Sequence, residues 1–244
     1  MPLHCRIVRQ PLLGPAERED MLALLQTYFD NVRRKVFLED LAGKDWVIVL
    51  RDAPGRLAGF STIQFFALPP ADGPRTVILF SGDTVVDRMH WHTPALAGAF
   101  GHVMLRAMED HRDARLYWLL IAKGYRTYRF LPVYFRRFYP ACDREAPPEY
   151  PSVLQRAASA RFGPAFDAQT GLVRHAGVRD RLRAPFDAVP RGRERDRHVQ
   201  FFLRRNPTFR DGDELACIAE ISRKNLNRFA WRVIRSTEVQ WREA

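Results

Sequence analysis

Residues Thr76–His111 read TVILFSGDTVVDRMHWHTPALAGAFGHVMLRAMEDH, and the fold turns on how this stretch is parsed. Ile78, Phe80, Val85 and Val86 give strand character to Thr76–Asp87, while Ser81-Gly82-Asp83 interrupts the run in its middle. Glycine inside a strand pattern marks a bulge or a close approach of backbone. After Arg88 the apolar residues fall at Leu96, Phe100, Val103, Met104 and Met108, the spacing of one helix face, which predicts a helix over Thr93–Glu109. A distorted strand feeding a helix through a short turn is a setting in which cofactors are often held.

Upstream, the spacing of Met21, Leu22, Leu25 and Tyr28 predicts an amphipathic helix over Pro15–Asp30, and a second helix fits Val32–Leu41. DWVIVLRD (Asp45–Asp52) and LAGFSTIQFFA (Leu57–Ala67) flank the turn signal Asp52-Ala53-Pro54-Gly55 and read as a hairpin. Asp72-Gly73-Pro74 signals the next turn. Downstream, Leu116–Ala122 (LYWLLIA) is continuously apolar, as a strand buried on both faces requires. Asp143–Pro148 breaks the pattern, Pro151–Phe162 is helical in spacing, and Gly163–Arg197 has no persistent period. His198–Arg205 and Glu214–Ile221 look strand-like and suggest a closing hairpin, followed by a helix over Asn225–Ile234. The organisation expected is a core over residues 1–142, a basic insertion over 143–197, and a hairpin with a helix over 198–244 completing the same domain.

With 244 residues, 46% of them hydrophobic, the chain can bury a sizeable core. No apolar run approaches the ~20 residues of a membrane span, and MPLHCRIVRQP lacks the apolar stretch of a secretory signal, so a cytoplasmic location is expected. Cys5, Cys142 and Cys217 form neither a zinc pattern nor a disulfide framework. His90, His92, His102 and His111 gain no cysteine or carboxylate partner at ligand spacing, so no metal is expected. The net charge is +11, and Arg174–Arg210 carries +7 of it, with eleven Arg against Asp180, Asp187, Glu194 and Asp196. Such a segment attracts nucleic acid, acidic lipid or phosphorylated ligands, or is simply a solvated face. Neither G-x-S-x-G nor a Walker-type loop occurs, so hydrolase and NTPase readings gain no support.

The order of elements, together with VYFRRFY at Val133–Tyr139, resembles the GCN5-related N-acetyltransferase (GNAT) family over Pro15–Ala141 and again over Val199–Ile221. The resemblance implies an α/β fold with a mixed, mostly antiparallel central sheet flanked by helices, and acetyl-CoA or a longer acyl-CoA as acyl donor. It also implies a primary amine on a small-molecule or other acceptor. In that family the bulged strand splays from its neighbour, its free amides bind pantetheine, and the next helix N-terminus receives the pyrophosphate. Here those amides belong to Asp83–Val86, including Val85 and Val86, and the phosphate loop to Arg88–Thr93. Arg88 matches the family pattern, but Trp91 and Thr93 stand where glycines belong. Either the loop is reshaped, with Arg88, His92 and Thr93 donating from side chains, or CoA binding is lost.

The family's Leu-Tyr-x-x-x-Gly-Phe segment places its general-acid tyrosine at Tyr134, with Phe138 in place of the Gly. Tyr134 also reads as one packed aromatic among several. Asp83 and His92 are the candidate bases, and Asp83 reads equally as a turn residue. Arg126 and Arg129 are candidates to hold CoA phosphates, or part of a wet basic face. A different class of function, a non-catalytic scaffold binding nucleic acid or an acidic protein through the Arg-rich segment, stands beside the enzyme.

Overall fold

Alternation along the strands builds this molecule from its centre. Val77 and Leu79 of the Thr76 strand enter one buried cluster, Ile78 and Phe80 another on the opposite face. Both faces therefore need covering, and helices cover both. A computed structural model describes residues 3–70 and 74–243; Asp72 and Gly73 of the expected turn lie outside them.

In chain order the elements are β1 (His4–Arg9), α1 (Pro15–Tyr28), β2 (Phe29–Asp30), α2 (Arg34–Ala42), β3 (Trp46–Arg51), β4 (Leu57–Ala67), β5 (Thr76–Val86), α3 (Ala95–Asp110) and β6 (Arg115–Ala122). Then come α4 (Tyr125–Tyr128), α5 (Phe130–Tyr134), α6 (Glu149–Phe162), β7 (Phe166–Asp167), β8 (Leu172–Val173), β9 (Arg181–Leu182), α7 (Arg197–Arg205), β10 (Glu214–Glu220), α8 (Arg228–Ser236) and β11 (Val239–Arg242). Nine strands form one sheet in the order β11-β1-β3-β4-β5-β6-β10-β8-β7. All neighbours are antiparallel except β1/β11 and β5/β6. α3, α7 and α8 pack on one face; α1 and α2 cover one half of the other face, and α6 the second half.

The α3–α8 contact shows how sequence fixes the packing. A Cβ on Gly98 would lie 1.9 Å from Thr237 Oγ1, and one on Gly101 would lie 2.3 Å from Ile234 Cγ1. Glycine at these two positions lets the C-terminal helix sit directly on the α3 backbone. Among the described residues, no helix is long and apolar enough to cross a membrane.

The expected closing hairpin is corrected. His198–Arg205 is helix α7: the Asp196 carboxylate accepts from the backbone N–H of His198 (2.9 Å) and Val199 (3.3 Å), capping it. Val199 and Phe202, three apart, share its buried face. β10 pairs instead with β6 and β8. Segment 143–197 is less irregular than expected, because β7 and β8 extend the main sheet and β9 pairs with β2.

Candidate active site on two sides of a forked strand

The interruption at Ser81-Gly82-Asp83 is a bulge. Ser61 pairs with Thr84 and Ile63 with Ser81, so Thr62 alone faces both Gly82 and Asp83. A Cβ on Gly82 would meet Thr62 Oγ1 at 2.6 Å and the Lys44 amine at 3.0 Å. Only glycine admits that close passage. On its other edge β5 runs parallel with β6 from Thr76/Arg115 to Ser81/Leu120, and there the pairing stops. The buried Trp118 indole donates to Ser81 Oγ at 2.9 Å and pins the last rung. Beyond it β5 continues to Val86 paired only with β4. The sheet therefore forks at its centre.

The fork opens into a cleft of about 350 Å³. Thr84, Val85 and Val86 form one wall, and Gly124–Thr127 with Arg129, Val133 and Tyr134 the other. His90, Trp91 and Thr93 border it from the loop ahead of α3. Leu182 of β9 and Phe186 just after it border it as well. Trp91 lies across the place a phosphate loop would occupy: its indole donates to the Val86 carbonyl at 2.7 Å, and the Arg126 guanidinium stacks on it at 4.1 Å. Arg129 is tied to Asp196 at 3.2 Å, whereas Arg126 makes no ion pair among the described residues. Two tyrosines line this wall. Tyr134 stacks on Phe229 with ring centroids 5.5 Å apart, and burial raises its pKa. Tyr125 is buried, its hydroxyl has no partner among the described residues, and burial raises its pKa too.

Charged side chains gather around the bulge itself. Burial, with repulsion from Asp40 and against the pull of Lys123, pushes the Asp83 carboxyl up to about 6. Burial likewise pushes Glu214, at the start of β10, up to about 7, with Lys123 again opposing. Lys123 follows β6 directly. Burial favours release of its proton, but Glu214 at 3.6 Å and Asp180 at 2.5 Å outweigh that and hold it above the ordinary lysine range. Lys44, its side chain enclosed beside Gly82, is pushed down by burial and held charged by Asp40 at 2.8 Å. Two carboxyls poised near neutrality around one ammonium form a proton-holding set, and such perturbed groups gather where chemistry is done.

A mixed, mostly antiparallel sheet flanked by helices and forked at a bulged central strand is the α/β architecture expected from the sequence. No known protein-family model matches the chain, and no curated protein matches it. Solved structures similar to it include an Enterococcus faecalis protein of unknown function described as a probable N-acyltransferase (14% identity, TM-score 0.43). The match covers 57% of this chain and 33% of that one. A GNAT-family N-acetyltransferase from Escherichia coli, in complex with CoA, is 13% identical with TM-score 0.37, over 50% of this chain and 65% of that one. Arabidopsis thaliana NAA60 in complex with acetyl-CoA is 12% identical with TM-score 0.40, over 59% of this chain and 94% of that one. The chain thus spans less than two thirds of the first two.

Of the residues singled out in the sequence, Val85, Val86, Trp91, Thr93, Arg126, Arg129 and Tyr134 meet around the cleft, and Asp83 sits on the bulge. Arg88 and His92 do not line it. Both are exposed on the turn before α3, and the Arg88 backbone N–H donates to Tyr28 Oη at 2.7 Å. Of the arginines expected to meet phosphates, Arg126 and Arg129 line the cleft and Arg88 does not. Glu214 is not legible in the sequence as a neighbour of Asp83: it lies 131 positions beyond it, and only the sheet order β5-β6-β10 brings their elements together.

Cys142, Asp143 and His198 also converge. Each offers one ligand atom within 4.8 Å of the others: the thiol faces His198 Nδ1 at 3.4 Å, and Asp143 lies 3.7 Å from Nε2. Asp143 is moreover occupied by Arg144 and Arg197.

Proposed function

We propose that this chain transfers an acyl group from acyl-CoA to a primary amine. The observation that supports it most is a carboxyl with pKa about 6, Asp83, on the bulge of a strand that forks from its parallel neighbour. A base poised near the working pH is half deprotonated and still able to accept a proton.

The cleft suits an acyl-pantetheine arm. Its walls are largely apolar, the β5 edge beyond Ser81 has no strand partner on the β6 side, and Tyr125 holds an unpartnered hydroxyl there. Bound acyl-CoA supplies the thioester; the chain supplies the rest. Amides of Asp83–Val86 polarise the carbonyl, and Arg126 meets a phosphate with a charged side chain where glycine amides are lacking. The amine forms its bond to the carbonyl carbon as Asp83 takes its proton, with Glu214 and Lys123 passing the proton outward. The carbon–sulfur bond breaks, and the leaving thiolate takes a proton from Tyr134, whose solution pKa of about 10 is close enough to a thiol's 8.5 for transfer. Calorimetry with CoA, acetyl-CoA and longer acyl-CoAs tests the donor site directly. Absence of binding by all of them refutes the reading.

The scaffold reading finds less support. Seven of the eleven arginines of Arg174–Arg210 are engaged in ion pairs with the protein's own carboxylates, among them Arg174 and Arg179 with Asp213, Arg181 and Arg183 with Asp30, and Arg210 with Asp187. The segment is a strap clipped to the body by charge.

A further inference from the structure

A cluster of cations with no carboxylate partner among the described residues lies elsewhere, on the outer face of α8 and just ahead of it. Arg223, Lys224, Arg228, Arg232 and Arg235 are exposed, and none makes an ion pair or side-chain hydrogen bond among the described residues. No Asp or Glu occurs from Ile221 to Thr237, so this stretch carries +5 of the chain's net +11. Arg228 is the first residue of α8, beside the helix's positive end, and the first turn has no acid. Cations there oppose the helix dipole, so the arrangement is not one that helix stability selects.

Aromatic rings are interleaved with the charge. Trp231, half-buried, carries the guanidiniums of Arg223 at 5.6 Å and Arg235 at 5.9 Å from its ring centroid. Arg232 lies over Phe229 at 4.8 Å. Arg228, Trp231, Arg232, Arg235 and Ser236 enclose a surface groove of about 470 Å³. The opposite face of α8, with Ala230, Val233 and Ile234, is buried on α3, so the groove stands on a fixed platform.

We infer that the α8 groove binds single-stranded nucleic acid, with its cations on successive phosphates and Trp231 against a base. Charge complementarity selects a polyanion, and unpaired bases stack on aromatic rings that a duplex cannot reach. A lipid surface fits less well. Insertion needs a broad exposed apolar face, and that of α8, with Ala230, Val233 and Ile234, is already buried; Phe229, 37% exposed, is stacked on Tyr134 and is too little to insert. This site is separate from the acyl-transfer reading, and its test contains no CoA.

The experiment is fluorescence anisotropy of the full-length protein with a labelled 20-nucleotide oligo(U) or oligo(dT), titrated at several salt concentrations. Five neutralised phosphates give a slope of log K against log[salt] of about −3.5, at about −0.7 for each phosphate. Removing three charges in Arg228→Gln/Arg232→Gln/Arg235→Gln brings the slope to about −1.4 and weakens binding more than tenfold at low salt. Trp231→Leu weakens binding to the single strand and leaves binding to a duplex of the same length unchanged. The control Arg191→Gln/Arg195→Gln/Arg204→Gln removes equal charge from unpaired arginines of the strap segment and α7, and leaves the slope near the wild-type value. If the triple α8 variant does not fold, the three single variants carry the same measurement, each moving the slope by about 0.7. An equal loss in the control, duplex bound as tightly as single strand, or binding to phosphatidylserine vesicles without binding to the oligonucleotide overturns the proposal.

Discussion

The cleft and the bulge lie around one forked strand but are built on opposite terms. Around the cleft, the groups that would touch CoA are side chains doing work usually left to backbone: Trp91 covers the Val86 carbonyl and seats Arg126. Around the bulge, backbone geometry is retained and is specific down to one atom, since Gly82 passes between Thr62 and Lys44 with no room for a Cβ. The cleft side rests on side chains, whereas the bulge side rests on a backbone that only glycine fits and holds a carboxyl beside its counter-charges. A chain that had lost chemistry altogether would have little reason to retain Asp83 and Glu214 in surroundings that push both toward neutrality, because ionising buried carboxyls is unfavourable to folding.

The contrast between the two can be broken by experiment. Asp83→Asn is expected to lower kcat by about 10²–10⁴-fold, the usual scale of general-base loss, with acyl-CoA affinity unchanged; steady-state kinetics with calorimetry separates the two. The wild-type rate should rise with pH through about 6 as Asp83 deprotonates. The stability effect has the opposite sign. Because the folded-state pKa of Asp83 lies above its ordinary value of 3.8, the folded protein binds more protons than the unfolded chain between about 4 and 6, and stability falls as pH rises across that window. Asp83→Asn should therefore unfold at a higher temperature than wild type at pH 8, by about 2–4 °C for each kcal/mol recovered. A variant both inactive and destabilised would show Asp83 to be a structural residue.

Next in size is the tyrosine comparison. Tyr134→Phe should cost about 10²-fold in kcat, and Tyr125→Phe less. The reverse ranking would transfer the acid role to the unpartnered hydroxyl. Arg126→Gln, removing one charge-assisted hydrogen bond, should raise KM for acyl-CoA about tenfold and leave KM for an acyl-pantetheine without nucleotide phosphates unchanged. The smallest effect belongs to Trp91→Ala. Loss of an exposed cation–π contact of about 0.5–1 kcal/mol predicts a two- to fivefold rise in the same KM. A fall would mean that the indole obstructs CoA rather than seating its partner.

The central stretch was legible because its signals are local. β-branched residues broken by Gly82-Asp83 specify a bulged strand, and β5 begins at Thr76 as expected and ends at Val86, one residue short of Asp87. Leu57–Ala67 forms β4 with those same bounds for a similar reason. HVQFFLRR misled because Val and Phe favour strands, while the deciding features were the Asp196 cap and the pairing of β10 with β6 and β8 instead. β1 and β11 passed unnoticed as short strands, β11 at the sheet edge and β1 beside it, with charged residues between the apolar ones. For the site, Asp83 and Tyr134 could be named from the sequence. The ring of Lys123, Asp180 and Glu214 could not, since it is assembled by long-range strand order and by ion pairs that leave no periodic trace. Charge misled in the same way: counting arginines pointed to the strap, where seven of the eleven are paired, whereas all five cations on and just ahead of α8 are without an ion pair among the described residues.

The parallel pairing of β1 with β11 has a kinetic consequence. Cys5 lies opposite Val239 and Val8 opposite Arg242, so this rung of the sheet joins residues 234 positions apart in the chain. Such a contact forms only after the intervening segments have condensed, which places this seam among the last events of folding and gives the molecule a high contact order. During synthesis β1 must wait, with its outer edge unpaired, until β11 has been made, and refolding should accordingly be slow.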